Sequence, residues 1–120
     1  MEQKRKFQRF PVELNAACFA AGTAEIRKCR ITEVSRSGVI IEVQAKEKIK
    51  IGQSLMLEID FPGRKNPMSA FVKLKWIKVL DDTVEFNFIA GGKLTIIKPE
   101  DKSSLLDYAY ECLLNKEKGE

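Results

Sequence analysis

Histidine is absent from the 120 residues, and that absence removes whole classes of function. Without an imidazole the chain cannot build a Ser-His-Asp or Cys-His dyad or a histidine-containing zinc site, and it has no side chain that ordinarily transfers protons near neutral pH. An enzyme here would have to run on carboxylates, Lys or Tyr alone. Cysteine is scarce: Cys18, Cys29 and Cys112 are odd in number and irregularly spaced, which excludes a disulfide framework and a C-x-x-C metal or redox motif. They read as buried thiols of a reducing compartment. No apolar run approaches a membrane span, and the basic start lacks the apolar stretch and cleavage site of a signal peptide. The expectation is a soluble cytoplasmic protein with no membrane insertion.

What is present suffices for one domain. With 44% hydrophobic residues in 120, the chain can form a single core that buries about two-thirds of its unfolded surface. Its 21 Lys and Arg exceed its 17 Asp and Glu, for a net charge of +4, and the excess is uneven. Residues 1–10 hold Lys4, Arg5, Lys6 and Arg9 against Glu2 alone, and residues 24–50 add Arg27, Lys28, Arg30, Arg36, Lys46, Lys48 and Lys50 against four glutamates. From Lys98 to Glu120 the balance reverses, with six acidic groups against four lysines. A basic front of this kind attracts phosphate-bearing partners.

From Val12 onward the apolar residues recur mostly with period two, as half-buried strands require. Val12, Leu14, Ala16 and Cys18 form one such set, and Leu55, Leu57, Ile59 and Phe61 another. Ala70, Val72, Leu74 and Trp76 form a third, and Val84, Phe86 and Phe88 a fourth. Arg27 to Val34 and Val39 to Val43 are shorter β-branched runs, making about six strands. Breakers separate them at Ala21-Gly22-Thr23, Ser35 to Gly38, Ile51-Gly52-Gln53, Pro62 through Pro67 and Asp81-Asp82, while Gly91-Gly92 reads as a hinge before the tail. Short connections favour antiparallel neighbours, so the predicted fold is all-β: a six- to seven-stranded antiparallel barrel. Pro99-Glu100-Asp101 then looks like a helix first turn. Leu105, Leu106, Ala109, Cys112 and Leu113 follow at helical spacing, one apolar stripe for packing on the barrel. The predicted organisation is a flexible basic arm over 1–11, a barrel with its C-terminal helix over 12–116 and a frayed tail over 117–120.

Two pieces of the first third carry recognition chemistry. Lys4-Arg5-Lys6-Phe7-Gln8-Arg9-Phe10-Pro11 precedes the first strand, and Pro11 disfavours helical backbone at Phe10. In an extended segment Arg5 and Arg9 stand about 13 Å apart at roughly 3.3 Å per residue. Two guanidinium forks at that reach can bracket a flat anion, because each pairs with phosphate or with the O6/N7 edge of guanine and stacks on a base. Lys4 and Arg36 are possible auxiliary cations. The second piece is Glu33-Val34-Ser35-Arg36-Ser37-Gly38 in a turn between strands. Its carboxylate can accept from guanine N1–H and N2–H, its serine can donate to phosphate, and its glycine permits a tight turn and close ligand approach.

In these two pieces the sequence resembles the PilZ domain, a bacterial family of small β-barrels that bind the second messenger cyclic di-GMP. Arg5 and Arg9 match the family's two arginines separated by three residues before the first strand, with Lys4, Phe7 and Pro11 around them. Ser35 and Gly38 match its second motif of Asp or Asn, any residue, Ser, two of any, Gly, with the longer Glu33 at the acidic position. The Gly52 turn, the Trp76 strand, the strand through Phe88 and the closing helix fall in the family's order.

The resemblance implies a receptor without catalysis or cofactor. Its arginine arm would fold over cyclic di-GMP and change the surface seen by an effector protein. Arg5 and Arg9 would meet phosphates and guanine edges, Glu33 a guanine donor edge and Ser35 a phosphate or base, while Gly38 would keep the turn open. Two other readings stand beside it. One is a PilZ-fold interaction module that has lost nucleotide binding through Glu33. The other, a basic barrel binding single-stranded nucleic acid, needs several exposed aromatic platforms, and Trp76, Phe61, Phe86 and Phe88 fall on predicted core faces. Only Phe7, Phe10, Phe19 and Phe71 remain for the surface.

Overall fold

The computed structural model describes residues 9–20, 26–45, 49–81 and 86–119. Six strands, β1 (Phe10–Ala20), β2 (Ile26–Val34), β3 (Gly38–Ala45), β4 (Ser54–Ile59), β5 (Met68–Asp81) and β6 (Phe86–Ile97), precede one helix, α1 (Pro99–Gly119). They close into a barrel in the order β1-β2-β3-β6-β5-β4, every pair antiparallel. Closure depends on β1, whose residues up to Ala16 pair with β2 and whose residues from Ala16 on pair with β4.

The alternation read from the sequence is the inside–outside alternation of this barrel. Leu14, Ile31, Ile41, Val43, Leu55, Leu57, Ile59, Val72 and Leu74 are all buried, each contributing about 1.5–3 kcal/mol relative to exposure. The helix begins as expected, with Pro99 at its start and Glu100 and Asp101 in its first turn. Asp101 is buried and accepts from Arg64 Nη1 at 2.8 Å, so the β4–β5 connection is tied to the helix. Leu105 and Ala109 are fully buried, while Leu106, Cys112 and Leu113 are half-buried. Tyr108 meets Phe61 edge-on at 5.3 Å, and Tyr110 meets Phe10 at 6.0 Å.

Three expectations are corrected. Gly91-Gly92 is no hinge: both lie inside β6, which continues to Ile97 and pairs with β3 and β5 along its length. Phe61 lies beyond the end of β4 and is only half-buried. Trp76 leaves the core face and is 37% exposed. The reason is a bulge: Leu74 pairs with Gly92 and Trp76 with the adjacent Gly91, so the extra residue, Lys75, shifts the pleat and turns Trp76 outward. The strand expected over Val84 to Phe88 is described from Phe86, and residues 82–85 lie outside the described residues.

Cys18 and Cys29 are both buried. The hydrogen bond that the Cys18 thiol donates to Cys29, followed by burial, pushes the Cys18 thiol far above its ordinary range.

Candidate functional site

The turn between β2 and β3 is built by Ser35. Its backbone N–H donates to the Gly38 carbonyl at 2.9 Å, and its Oγ accepts from Gly38 N–H at 3.2 Å. Such side-chain capping of a turn is a usual use of serine. Ser35 is buried as a result, 8% exposed, and its hydroxyl is spent within the turn. Gly38 is needed for a reason the sequence did not show. Its partner across the sheet is Lys93, and a Cβ at position 38 would lie 2.1 Å from the Gly92 carbonyl oxygen. Only a glycine lets β3 approach β6 this closely, and Leu94 N–H donates to the Ser37 carbonyl at 2.9 Å beside it.

Register brings the two sequence motifs together. Pro11 pairs with Glu33, so Arg9, two residues before Pro11, lies on the same face as Glu33 in the diagonal position. Arg9 Nη1 stands 4.0 Å from Glu33 Oε1. Both line a cavity of about 260 Å³ with Ser35 and Gly38. Arg36 is exposed in the same turn but does not line the cavity. Lys4 and Arg5 lie outside the described residues.

The opposite wall comes from residues that the sequence reading placed elsewhere. Lys75 and Trp76 of β5 and Gly91, Gly92 and Lys93 of β6 line the same cavity. The bulge that turns Trp76 out of the core also presents it here. Its indole covers Gly91, where a Cβ would fall 2.2 Å from Nε1. The one sequence signal for this wall was a lone tryptophan between lysines on a strand, facing a glycine pair.

The cavity therefore holds three cations, Arg9, Lys75 and Lys93, against one carboxylate, Glu33, with an indole in its wall. That set favours a planar ligand bearing negative charge. Arg30, part of the second basic stretch, is committed elsewhere. It donates to Glu42 Oε1 from Nη2 at 2.9 Å and to Glu13 Oε2 from Nη1 at 3.1 Å, and these contacts, Glu42 first, raise its pKa. Among the described residues no His, Cys, Asp or Glu cluster could hold a metal.

Two solved structures share this architecture. The PilZ domain with c-di-GMP of YcgR from Escherichia coli aligns with a TM-score of 0.71 at 13% identity, over 98% of this chain and 99% of that one. The Bacillus subtilis inhibitor of motility (MotI/DgrA) aligns with a TM-score of 0.71 at 18% identity, over 96% of this chain and 54% of that one. The chain thus spans about half the length of the Bacillus protein, and at these identities the likeness is one of fold. No curated protein gives a significant match. The sequence profile of the PilZ domain matches residues 3–111, the whole barrel and more than half of the helix, and the chain belongs to the PilZ domain family.

Proposed function

We propose that this chain is a receptor for cyclic di-GMP that acts on an effector protein and carries out no chemistry itself. The observation that carries the reading is the convergence of Arg9, Lys75, Lys93 and Trp76 on one cavity with Glu33 and the Ser35 turn. Phosphates pair with the cations, a guanine plane meets the indole, and the Glu33 carboxylate accepts from guanine N–H groups. The fold likeness to the YcgR domain, whose structure is with c-di-GMP, supports the same ligand class.

At about 260 Å³ the cavity lies just below the roughly 300–1,000 Å³ of small-molecule sites. In this proposal the basic residues ahead of Arg9, Lys4 and Arg5 among them, complete it over the ligand, and that ordering is the signal an effector reads. A cytoplasmic location fits a diffusible nucleotide, and no described helix is long and apolar enough to cross a membrane. The second reading, an interaction module without nucleotide binding, draws on the Arg9–Glu33 pair at 4.0 Å, which occupies the arginine internally.

Trp76 is the only tryptophan, so fluorescence excited selectively at tryptophan reports the cavity alone. Titration with cyclic di-GMP is expected to change Trp76 emission saturably, and more weakly as salt rises, with cyclic di-AMP and GTP as controls. An unchanged spectrum up to high micromolar ligand favours the second reading.

A further inference from the structure

The far half of β5 has a strand beside it on one edge only. β5 pairs with β6 from Ala70 to Asp81, but with β4 only from Met68 to Lys73, because β4 begins at Ser54. Leu74 is the last β5 residue held on the β4 side, where its N–H donates to the Gln53 carbonyl and its own carbonyl accepts from Gly52 N–H. Beyond it, Ile77 pairs with Ala90 and Val79 with Phe88. Both partners are buried, so Ile77 and Val79 face inward as Leu74 does. Inward residues of one strand point their backbone groups to the same edge, because facing and hydrogen bonding alternate together. The N–H and carbonyl groups of Ile77 and Val79 therefore line the β4-side edge, with no backbone partner there among the described residues.

An open edge is a template for another strand, and proteins ordinarily blunt it with bulges, prolines or inward-pointing charges. Bulges at Lys75 and Leu80 bound this stretch, but between them the inward positions are isoleucine and valine and no proline intervenes. The inner side of the edge is also apolar. Ile49, Ile51, Phe86 and Phe88 line a groove of about 310 Å³ with Ile77 and Val79, and Val79 is 50% and Ile51 65% exposed. Unpaired backbone groups beside an apolar groove fit an extended peptide, whose backbone pairs with the edge while alternate side chains enter the groove.

The charges select which strand. Lys78, between Ile77 and Val79, is exposed on the outer face, and Lys50 lines the groove. Neither has an ion-pair partner among the described residues. The nearest acid on β5 is Asp81, which ends the strand beyond the second bulge. A second copy of this chain fits poorly. Antiparallel pairing of two β5 edges through both Ile77 and Val79 sets Lys78 directly opposite Lys78, and like charges there are destabilising. A strand with an acidic residue at that position is favoured instead.

We propose that the β5 edge at Ile77 and Val79 receives an extended segment of a partner protein as an added strand, with alternate apolar residues in the groove and an acidic residue beside Lys78. The bulges confine the pairing to Trp76–Val79, which makes it short and reversible.

NMR titration of the isotope-labelled full chain tests this, with a short blocked peptide alternating valine and glutamate as the probe and its valine–lysine counterpart as the control. The glutamate peptide is expected to shift the Ile77 and Val79 amide signals saturably and to slow their exchange with solvent, and to bind more tightly than the lysine peptide. Val79→Pro removes an edge donor that makes no bond within the barrel, a change edge strands tolerate. It should weaken binding about three- to tenfold, as loss of one backbone hydrogen bond does. Lys78→Glu should reverse the preference, so that the lysine peptide becomes the tighter of the two. Signals of Ile77 and Val79 that neither peptide moves at millimolar concentration overturn the proposal. So do shifts that appear on raising the protein concentration alone, which would place a second copy on the edge. Binding indifferent to Lys78→Glu overturns it even where Val79→Pro fails to fold. Lys75 and Trp76, which line the nucleotide cavity, stay untouched, so the outcome is independent of nucleotide binding.

Discussion

Replacing Gly38 by Ala tests the packing that positions the cavity. The added Cβ would stand 2.1 Å from the Gly92 carbonyl oxygen and 3.2 Å from its carbon, where carbon–oxygen contacts ordinarily hold about 3.3 Å or more. Both sides of this clash are backbone within paired strands, so no rotamer relieves it and β3 must draw about 1 Å away from β6. Overpacking of this kind costs roughly 1–3 kcal/mol, and rigid partners place Gly38→Ala near the upper end, about 3 kcal/mol. Lower unfolded-state entropy returns about 0.4–1 kcal/mol, leaving a net loss near 2 kcal/mol. For a chain of this size each kcal/mol lowers Tm by roughly 3–5 °C, so the expected fall is about 6–10 °C by calorimetry or circular dichroism. Gly52→Ala is the comparison. Gly52 has φ of 91° with nothing within 4 Å of a built Cβ, so alanine there adds only left-handed strain, about 1–2 kcal/mol. The two variants separate at the site: Gly38→Ala displaces the Glu33 turn from Lys93 and should weaken nucleotide binding, whereas Gly52→Ala should not. A Gly38→Ala protein that melts within about 2 °C of the parent would show that β3 and β6 are not held in rigid backbone contact at this position.

Two further outcomes follow from the same geometry. Gly91→Ala drives a Cβ into the indole, 2.2 Å from Nε1, so Trp76 should swing off the cavity wall; its emission should shift in the ligand-free protein and its response to cyclic di-GMP should be lost. The pH dependence of stability should carry the signature of Cys18. Its folded pKa is raised above the ordinary 9.0 by Cys29 and by burial, so its contribution is intact below that value and is lost as pH climbs and the unfolded thiol ionises. Denaturant melts should be flat through neutrality and decline above about pH 9 by up to roughly 1.4 kcal/mol per unit, and Cys18→Ala should flatten that decline.

The barrel was largely legible because its strands are half-buried and antiparallel, which writes the fold as period-two alternation with turn residues between. The period-two pattern misleads where alternation breaks. The bulge at Lys75 inverts the phase of β5, and no local pattern separates an inward from an outward Trp76. Gly91-Gly92 looked like a hinge because the reason for both glycines is non-local: the indole above one, and Val72 with the Lys73 carbonyl against the other. The site was legible by halves. Arg9 stands just before β1, and Glu33, Ser35 and Gly38 fall within six residues at the β2–β3 turn, so each piece could be read as a local motif, whereas Lys75, Trp76 and Lys93 reach the cavity only through the β3–β6–β5 pairing. Chemistry was also easier to read than role. Ser35 and Gly38 were expected to serve a ligand, and in the fold Ser35 caps the turn while Gly38 admits the neighbouring strand.

Nucleotide reception at the Arg9 cavity is read by isothermal titration calorimetry with cyclic di-GMP on the native chain, Arg5→Ala and Arg9→Ala. Charge-assisted hydrogen bonds are worth roughly 1.5–3 kcal/mol, so either substitution should weaken guanine-selective binding by about tenfold to a hundredfold, with no heat from cyclic di-AMP. Binding that is absent in the native chain, or unchanged when Arg9 is removed, would show that the Arg9 cavity is no nucleotide site.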